Sequence, residues 1–107
     1  MPFYELRTYE VRPGKMAAWI ELFERDILPY QVRLGMVVSA IMHDETGEDI
    51  FVWVRRFESE AERVRLYAAV YETPYWRDEI TPQVTEMINR DTIHVRRLTP
   101  SAASILQ

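Results

Sequence analysis

The order of hydrophobic patterns along the chain is the feature that most restricts its fold. Aromatic, Thr and Val residues from Phe3 to Arg12 predict a strand, which Pro13-Gly14 ends. Apolar residues spaced by three or four follow, and this spacing is typical of one face of a helix. Continued to the end, the patterns predict the order strand, helix, strand, strand, helix, strand. A chain of 107 residues suits one domain.

The first helical region begins at Lys15. Pro29 lies within it and has no backbone N–H, so we expect the helix to kink or divide near Leu28. Gly35 suits the position just past a helix end. The predicted apolar stripe is Met16, Trp19, Phe23, Ile27, Tyr30 and Leu34.

Two strands, Met36 to Asp44 and Ile50 to Phe57, are predicted to form a hairpin, because Asp44-Glu45-Thr46-Gly47 has the Asp and Gly of a type I turn. Ser59 with Glu62 predicts a capped helix start. The remaining predicted elements are a helix from Glu60 to about Glu72, new helix starts at Thr73-Pro74 and Thr81-Pro82, and a last strand from Thr92 to Leu98.

This order predicts an α+β fold of the ferredoxin-like type, βαββαβ. Its antiparallel sheet has helices on one face and the first and third strands at its centre. We expect one domain over residues 1–100 and a C-terminal tail over 101–107.

Composition excludes several classes of function. The absence of cysteine excludes disulfides, thiolate catalysis and Cys-based zinc sites. A net charge of -4 argues against a nucleic-acid partner. No apolar run reaches the roughly 20 residues of a membrane span, and no signal peptide is visible, so we expect a cytoplasmic protein. The two histidines make a weak metal signal, and we expect neither a metal nor a cofactor.

Alternation divides the strands into two sets of side chains, one for each face of the sheet. We assign the β-branched set to the helix side and the aromatic and charged set to the open face. The first set is Tyr4, Leu6, Thr8, Ile50, Val52, Val54, Ile93 and Val95. The second set is Phe3, Glu5, Arg7, Tyr9, Phe51, Trp53, Arg55, Phe57, His94, Arg96 and Leu98.

An open face this aromatic predicts a homodimer whose two sheets pack face to face. We also expect a cleft between sheet and helices, lined by the polar residues of the first strand. Which side chains of the second strand face the cleft depends on the hairpin register, which places either Ala40 or Ser39 opposite Trp53. We favour Ser39, because a type I turn with a Gly47 bulge fits the turn sequence.

Several motifs make the chain resemble the NIPSNAP family. The most specific is Tyr4-Glu5-Leu6-Arg7-Thr8-Tyr9 followed by Arg12-Pro13-Gly14-Lys15, and the supporting ones are the hairpin ending VWVRRFES and the TPYW segment with Trp76. The resemblance covers about Phe3 to Thr99. It implies a dimeric α+β barrel and gives no catalytic residues to carry over. Related barrels include cofactor-free monooxygenases, haem-binding enzymes and isomerases, which is an analogy of fold.

Candidate site residues come from the aromatic and charged set. Arginine binds carboxylates through its planar fork, so a small aromatic or carboxylate-bearing molecule is the expected ligand. The candidate ligand-binding residues are Glu5, Arg7, Tyr9, Trp53, Arg55 and Arg96, and the candidate catalytic bases are His94 and Tyr9.

Three functions fit these residues: a small-molecule binding protein, a cofactor-independent monooxygenase or isomerase in the same cleft, and a non-enzymatic dimeric interaction module. Cross-strand ion pairs of Glu5 and the arginines are the structural alternative to a ligand site. A hydrogen-bonded strand residue is the structural alternative for His94, and an exposed position at the hairpin is the alternative for His43.

Overall fold

The computed structural model describes all residues, 1–107, and contains one four-stranded antiparallel sheet with helices on one face. The strand order is β2-β3-β1-β4, so the first and third strands are central, as predicted. The ferredoxin-like α+β fold is therefore confirmed. The strands are β1 (Phe3–Glu10), β2 (Val37–His43), β3 (Ile50–Phe57) and β4 (His94–Leu98). The last strand begins two residues later than predicted, because a 3-10 turn occupies Arg90–Thr92.

Each helical region is divided, as the prolines predict. The first comprises α1 (Met16–Leu22), a π-helical segment (Phe23–Ile27) and α2 (Leu28–Arg33). The second comprises α3 (Glu60–Tyr71), a π-helical segment (Tyr75–Ile80) and α4 (Thr81–Met87). None of these helices combines the length and the apolar character that crossing a membrane requires.

The predicted helix starts have different outcomes. Ser59 caps α3 by accepting a hydrogen bond from the backbone N–H of Glu62, at 3.1 Å. Thr73 caps the second π-helical segment through the backbone N–H of Trp76, at 3.2 Å. Thr81 does not cap α4, because its own backbone is already helical and Ile80 precedes the helix.

The predicted faces of β1 and β3 are inverted. Phe51 and Trp53 lie under the helices, where the Phe23 ring packs against them at centroid distances of 4.9 and 5.0 Å. Large aromatic rings bury more apolar area than β-branched side chains, so the covered face takes them. Val52 and Val54 therefore lie on the open face. The assignment of β4 is correct, because its register pairs His94 with Thr8 on the open face.

Both predicted hairpin registers are wrong, because Ile41 lies opposite Trp53 and the bulge falls between Val38 and Ala40. The turn itself is as predicted: the Gly47 N–H donates to the Asp44 carbonyl at 2.8 Å, and Gly47 has φ +70°. The loop then continues for two residues before β3. The Asp44 carboxylate accepts from the N–H groups of Asp49 and Ile50, at 3.3 and 3.2 Å, and holds this longer loop closed.

Candidate functional site

A cavity of about 440 Å³ lies between the sheet and the helices. Ten of its fourteen lining residues are hydrophobic, and no Asp, Glu or His lines it. The chain has three tryptophans, and all of them, Trp19, Trp53 and Trp76, line this cavity. A mostly apolar cleft of this size with a few polar groups is typical of a small-molecule site.

Both π-helical segments contribute to the cavity wall. Phe23 and Ile27 come from the first, and Trp76 and Arg77 from the second. A proline ring clashes with the carbonyl four residues earlier, and for both Pro29 and Pro82 that position falls within the π-helical segment. The wider π turn thus accommodates each proline and turns bulky side chains towards the sheet. Segments of this kind occur frequently at functional sites.

A buried ion pair lies beside the cavity. Glu5 and Arg55 are direct partners across β1 and β3, and Arg55 Nη2 donates to Glu5 Oε1 at 2.9 Å. The Arg55 side chain has no exposed area, and Glu5 is 3% exposed. Burying charged groups is costly unless they are paired and hydrogen-bonded, so this pair needs further partners.

Side chains from the helices supply those partners. Arg55 Nη1 donates to Gln31 Oε1 at 2.9 Å and to the Tyr71 hydroxyl at 2.7 Å. The Tyr67 hydroxyl donates to Glu5 Oε2 at 2.6 Å and accepts from Arg55 Nη2 at 3.0 Å. Burial raises the pKa of Tyr67 to about 12, and burial also raises the pKa of Tyr71. Both phenols therefore stay neutral at ordinary pH.

Three buried N–H groups have no oxygen or nitrogen partner within the chain: Trp19 Nε1, Trp53 Nε1 and Arg55 Nε. Aromatic rings pack against the side chains that carry them. The Trp19 ring meets Phe51 at 88° and the Trp53 ring meets Phe23 at 80°, while the Arg55 guanidinium lies 4.6 Å from the Trp53 ring centroid. Edge-to-face and cation–π contacts of this kind offset part of the cost of the unmade hydrogen bonds.

Arg7 lines the cavity and shares its one carboxylate partner, Glu5, with Arg55. Its Nε donates to the Tyr9 hydroxyl at 2.9 Å, and its Nη1 donates to the Tyr67 hydroxyl at 3.3 Å. The nearest carboxylate oxygen, on Glu5, is 3.8 Å away and already accepts from Arg55. Burial lowers the pKa of Arg7, but the neighbouring tyrosines outweigh burial, so the net shift is upward and the guanidinium stays charged.

The predicted site residues separate into three groups. Arg7, Tyr9 and Trp53 line the cavity, whereas Glu5 and Arg55 form the ion pair beside it. Arg96 and His94 lie across the sheet, because they pair with Leu6 and Thr8 on the open face. His43 is exposed at the end of β2, where its ring bonds to the Asp44 carbonyl.

The sequence analysis did not identify the tyrosines of α3, or the arginines Arg77 and Arg90, which also line the cavity. Tyr67 and Tyr71 are four residues apart, which places two hydroxyls on one helix face, and that spacing was the available signal. Gln31 carries no such signal, because polar residues on a helix are usually exposed. No group of three or more Asp, Glu or His side chains is placed to hold a metal ion.

The sequence model of the NIPSNAP family matches residues 4–104. A NIPSNAP family protein from Agrobacterium tumefaciens is 22% identical over 100% of both chains, with a TM-score of 0.87. A second one from that organism, described as of unknown function, is 23% identical over 99% of this chain and 94% of its own, also at 0.87. No curated protein matches the chain.

The fold is also similar to that of a candidate antibiotic biosynthesis monooxygenase from Nitrosomonas europaea. That protein is 16% identical over 96% of this chain and 93% of its own, with a TM-score of 0.67. At these identities the structural likenesses show a common fold alone.

Proposed function

The chain belongs to the NIPSNAP family, and from that premise we propose that it binds a small anionic molecule with a flat, aromatic or otherwise apolar body in the cavity. The observation that carries this proposal is Arg7. It is a charged guanidinium that lines an apolar cavity, and its side chain is only 14% exposed. A ligand carboxylate would give it a direct hydrogen-bonded partner, whereas Glu5, its carboxylate partner in the chain, is 3.8 Å away and shared with Arg55.

The charges around the cavity support an anionic ligand. Arg7 and Arg55 are both positive, and Glu5 alone opposes them, so this cluster has one positive charge in excess. Glu5 already receives hydrogen bonds from Arg55 and Tyr67. A cation that is largely shielded from water interacts strongly with an incoming anion.

The apolar walls of the cavity favour a ligand with a flat, apolar body. Trp53 forms the cavity floor beside Arg7, whose guanidinium lies 5.7 Å from the Trp53 ring centroid. Trp76 and Tyr71 stand on the helix side, edge to face at a centroid distance of 4.9 Å. Aromatic walls around a polar anchor suit a flat molecule with its anionic group at one end.

Calorimetric titration with naphthalene-2-carboxylate tests this proposal. We expect saturable binding to the wild-type chain and about tenfold weaker binding, or about 1.4 kcal/mol, to Arg7→Gln. Arg65→Gln is the matched control, since Arg65 is exposed on α3 and should leave the affinity unchanged. Equal affinity for Arg7→Gln, or equally tight binding of the uncharged naphthalene-2-carboxamide, would contradict the proposal.

A monooxygenase or isomerase activity in the same cavity is the second candidate, and it rests on Tyr9. The Tyr9 hydroxyl accepts from Arg7 Nε, and the proton of that hydroxyl has no acceptor among the hydrogen bonds of the chain. His94 lies on the opposite face of the sheet, so Tyr9 is the catalytic candidate that borders the cavity. Turnover of a bound compound that Tyr9→Phe abolishes, with binding retained, would establish this function.

A homodimer through the open face is our proposal for assembly. Leu6, Val52 and Val54 lie on this face with no helix over them. Glu10 and Arg96 lie on the same face, so a second copy packed on it would bring charges of both signs to the interface.

Sedimentation velocity tests the homodimer. The wild-type chain should sediment with the mass of two chains, and Val52→Lys should reduce that mass to one, because it places a charge within an apolar interface. Val64→Lys is the matched control, since Val64 is exposed on α3. A wild-type monomer would contradict the assembly and leave the proposal for the cavity intact.

A further inference from the structure

We infer that the ligand carries a second anionic group, which two exposed arginines of the cavity wall, Arg77 and Arg90, bind, while Arg7 binds the first; we call this exposed part of the wall the mouth. This inference rests on the proposed function and specifies its ligand class. The expected molecule is a flat dianion with its charges at opposite ends. A ligand with one charge would leave the arginines at the mouth without a role.

The two arginines border the same cavity as Arg7 but belong to different elements. Arg77 comes from the second π-helical segment and Arg90 from the 3-10 turn before β4. Both are exposed, whereas Arg7 is largely buried. The lining residues of the cavity thus include one largely buried arginine and two exposed ones, and no carboxylate.

Existing contacts leave N–H groups of both arginines available. Arg77 uses Nε and Nη2 on the Asp78 carboxylate, at 3.0 and 3.3 Å, which leaves Nη1. That pair is exposed on both sides and so contributes little. The Arg90 side chain makes one hydrogen bond, from Nη1 to Thr85 Oγ1 at 3.4 Å, which leaves Nε and Nη2.

Calorimetric titrations with three probes that share the naphthalene ring compare a ligand of two negative charges with ligands of one and none. The probes are naphthalene-2,6-dicarboxylate, its monomethyl ester and its dimethyl ester. We expect the dianion to bind the wild-type chain about fivefold tighter than the monomethyl ester, since ion pairs at the exposed mouth are individually weak. In the double variant Arg77→Gln, Arg90→Gln this preference should disappear, while the monomethyl ester keeps its wild-type affinity.

Salt provides a second readout that a merely structural role of these arginines would not change. Raising the ionic strength from ~0.01 M to ~0.1 M shortens the screening distance from about 30 to about 10 Å. The preference for the dianion should fall with added salt in the wild-type chain and be absent at every salt concentration in the double variant. Thermal unfolding of the double variant checks that its fold is unchanged.

The outcomes distinguish this inference from the proposed function. Equal affinity of dianion and monomethyl ester, with both weakened by Arg7→Gln, overturns the second anionic group and keeps the proposed function. A preference that survives in the double variant also overturns the inference. If no probe binds in a way that depends on Arg7, or the dimethyl ester binds as tightly as the acids, the proposed function fails and the inference fails with it.

Discussion

The two faces of the central strands combine charged and apolar residues in different ways. The helix-covered face carries Glu5 and Arg55 in a buried hydrogen-bond network. The open face carries Leu6, Val52 and Val54, which are apolar and have no helix above them. The covered face therefore combines an ion pair with large aromatic rings such as Phe51 and Trp53, whereas the open face combines its aliphatic side chains with charged ones such as Glu10 and Arg56.

This difference agrees with the two functions that we propose for these faces. A polar network inside a small domain is costly to bury and rigid once satisfied, so it suits a surface that must hold a ligand in one orientation. An open face with aliphatic side chains at its centre needs no such network and suits a partner of similar character. The comparison can be tested on each face separately, starting with the network.

Glu5→Leu should have the largest effect, a loss of about 3–5 kcal/mol in the free energy of unfolding, because it leaves Arg55 buried without its carboxylate. Urea denaturation measures this loss. The double variant Glu5→Leu, Arg55→Met should be more stable than Glu5→Leu alone, because it removes the unpaired charge as well. A double variant no more stable than the single one would show that the pair does not act as a unit.

Tyr67→Phe should have the next largest effect, about 1–3 kcal/mol, because it removes the hydroxyl that bonds Glu5, Arg55 and Arg7. Tyr75→Phe is the matched control, since Tyr75 is exposed at the start of the second π-helical segment. The same urea experiment compares the two. Similar small losses for both would mean that the network contributes nothing beyond ordinary packing.

The pH dependence of stability provides a further test of Tyr67. Burial raises the pKa of its phenol from 10.0 to about 12, so the native state keeps its proton where the unfolded chain has lost it. The resulting stabilisation is complete below pH 10 and is lost as the pH rises to about 12. Tyr67→Phe should make the decline over this range shallower, and an unchanged slope would contradict the assignment.

His94→Ala should have the smallest effect. His94 lies on the open face, with the sheet between it and the cavity, so the affinity for naphthalene-2-carboxylate should stay within about twofold of wild type in calorimetric titration. A large loss of affinity would show that the open face also contributes to binding. Such a result would remove the distinction between the two faces.

The element order and the central strands could be predicted because turn residues such as Pro13-Gly14 and the helix cap at Ser59 act locally. Which face of β1 and β3 the helices cover could not be predicted, since alternation shows which residues share a face but leaves the covered face undetermined. Assigning the β-branched residues to the covered side was wrong, because Arg55 can be buried there only with hydrogen bonds to its neighbours Gln31, Tyr67 and Tyr71. These partners come from distant helices, and no local pattern joins them.

The placement of the tryptophans has a practical consequence. Since Trp19, Trp53 and Trp76 are the full set in the chain and all border the cavity, the indole emission of this protein originates from a single location. A molecule that binds there and contacts these indoles should change the wavelength or intensity of that emission, with no label attached. The protein can therefore be screened against a metabolite collection by its intrinsic tryptophan fluorescence, including compounds outside the ligand class proposed above.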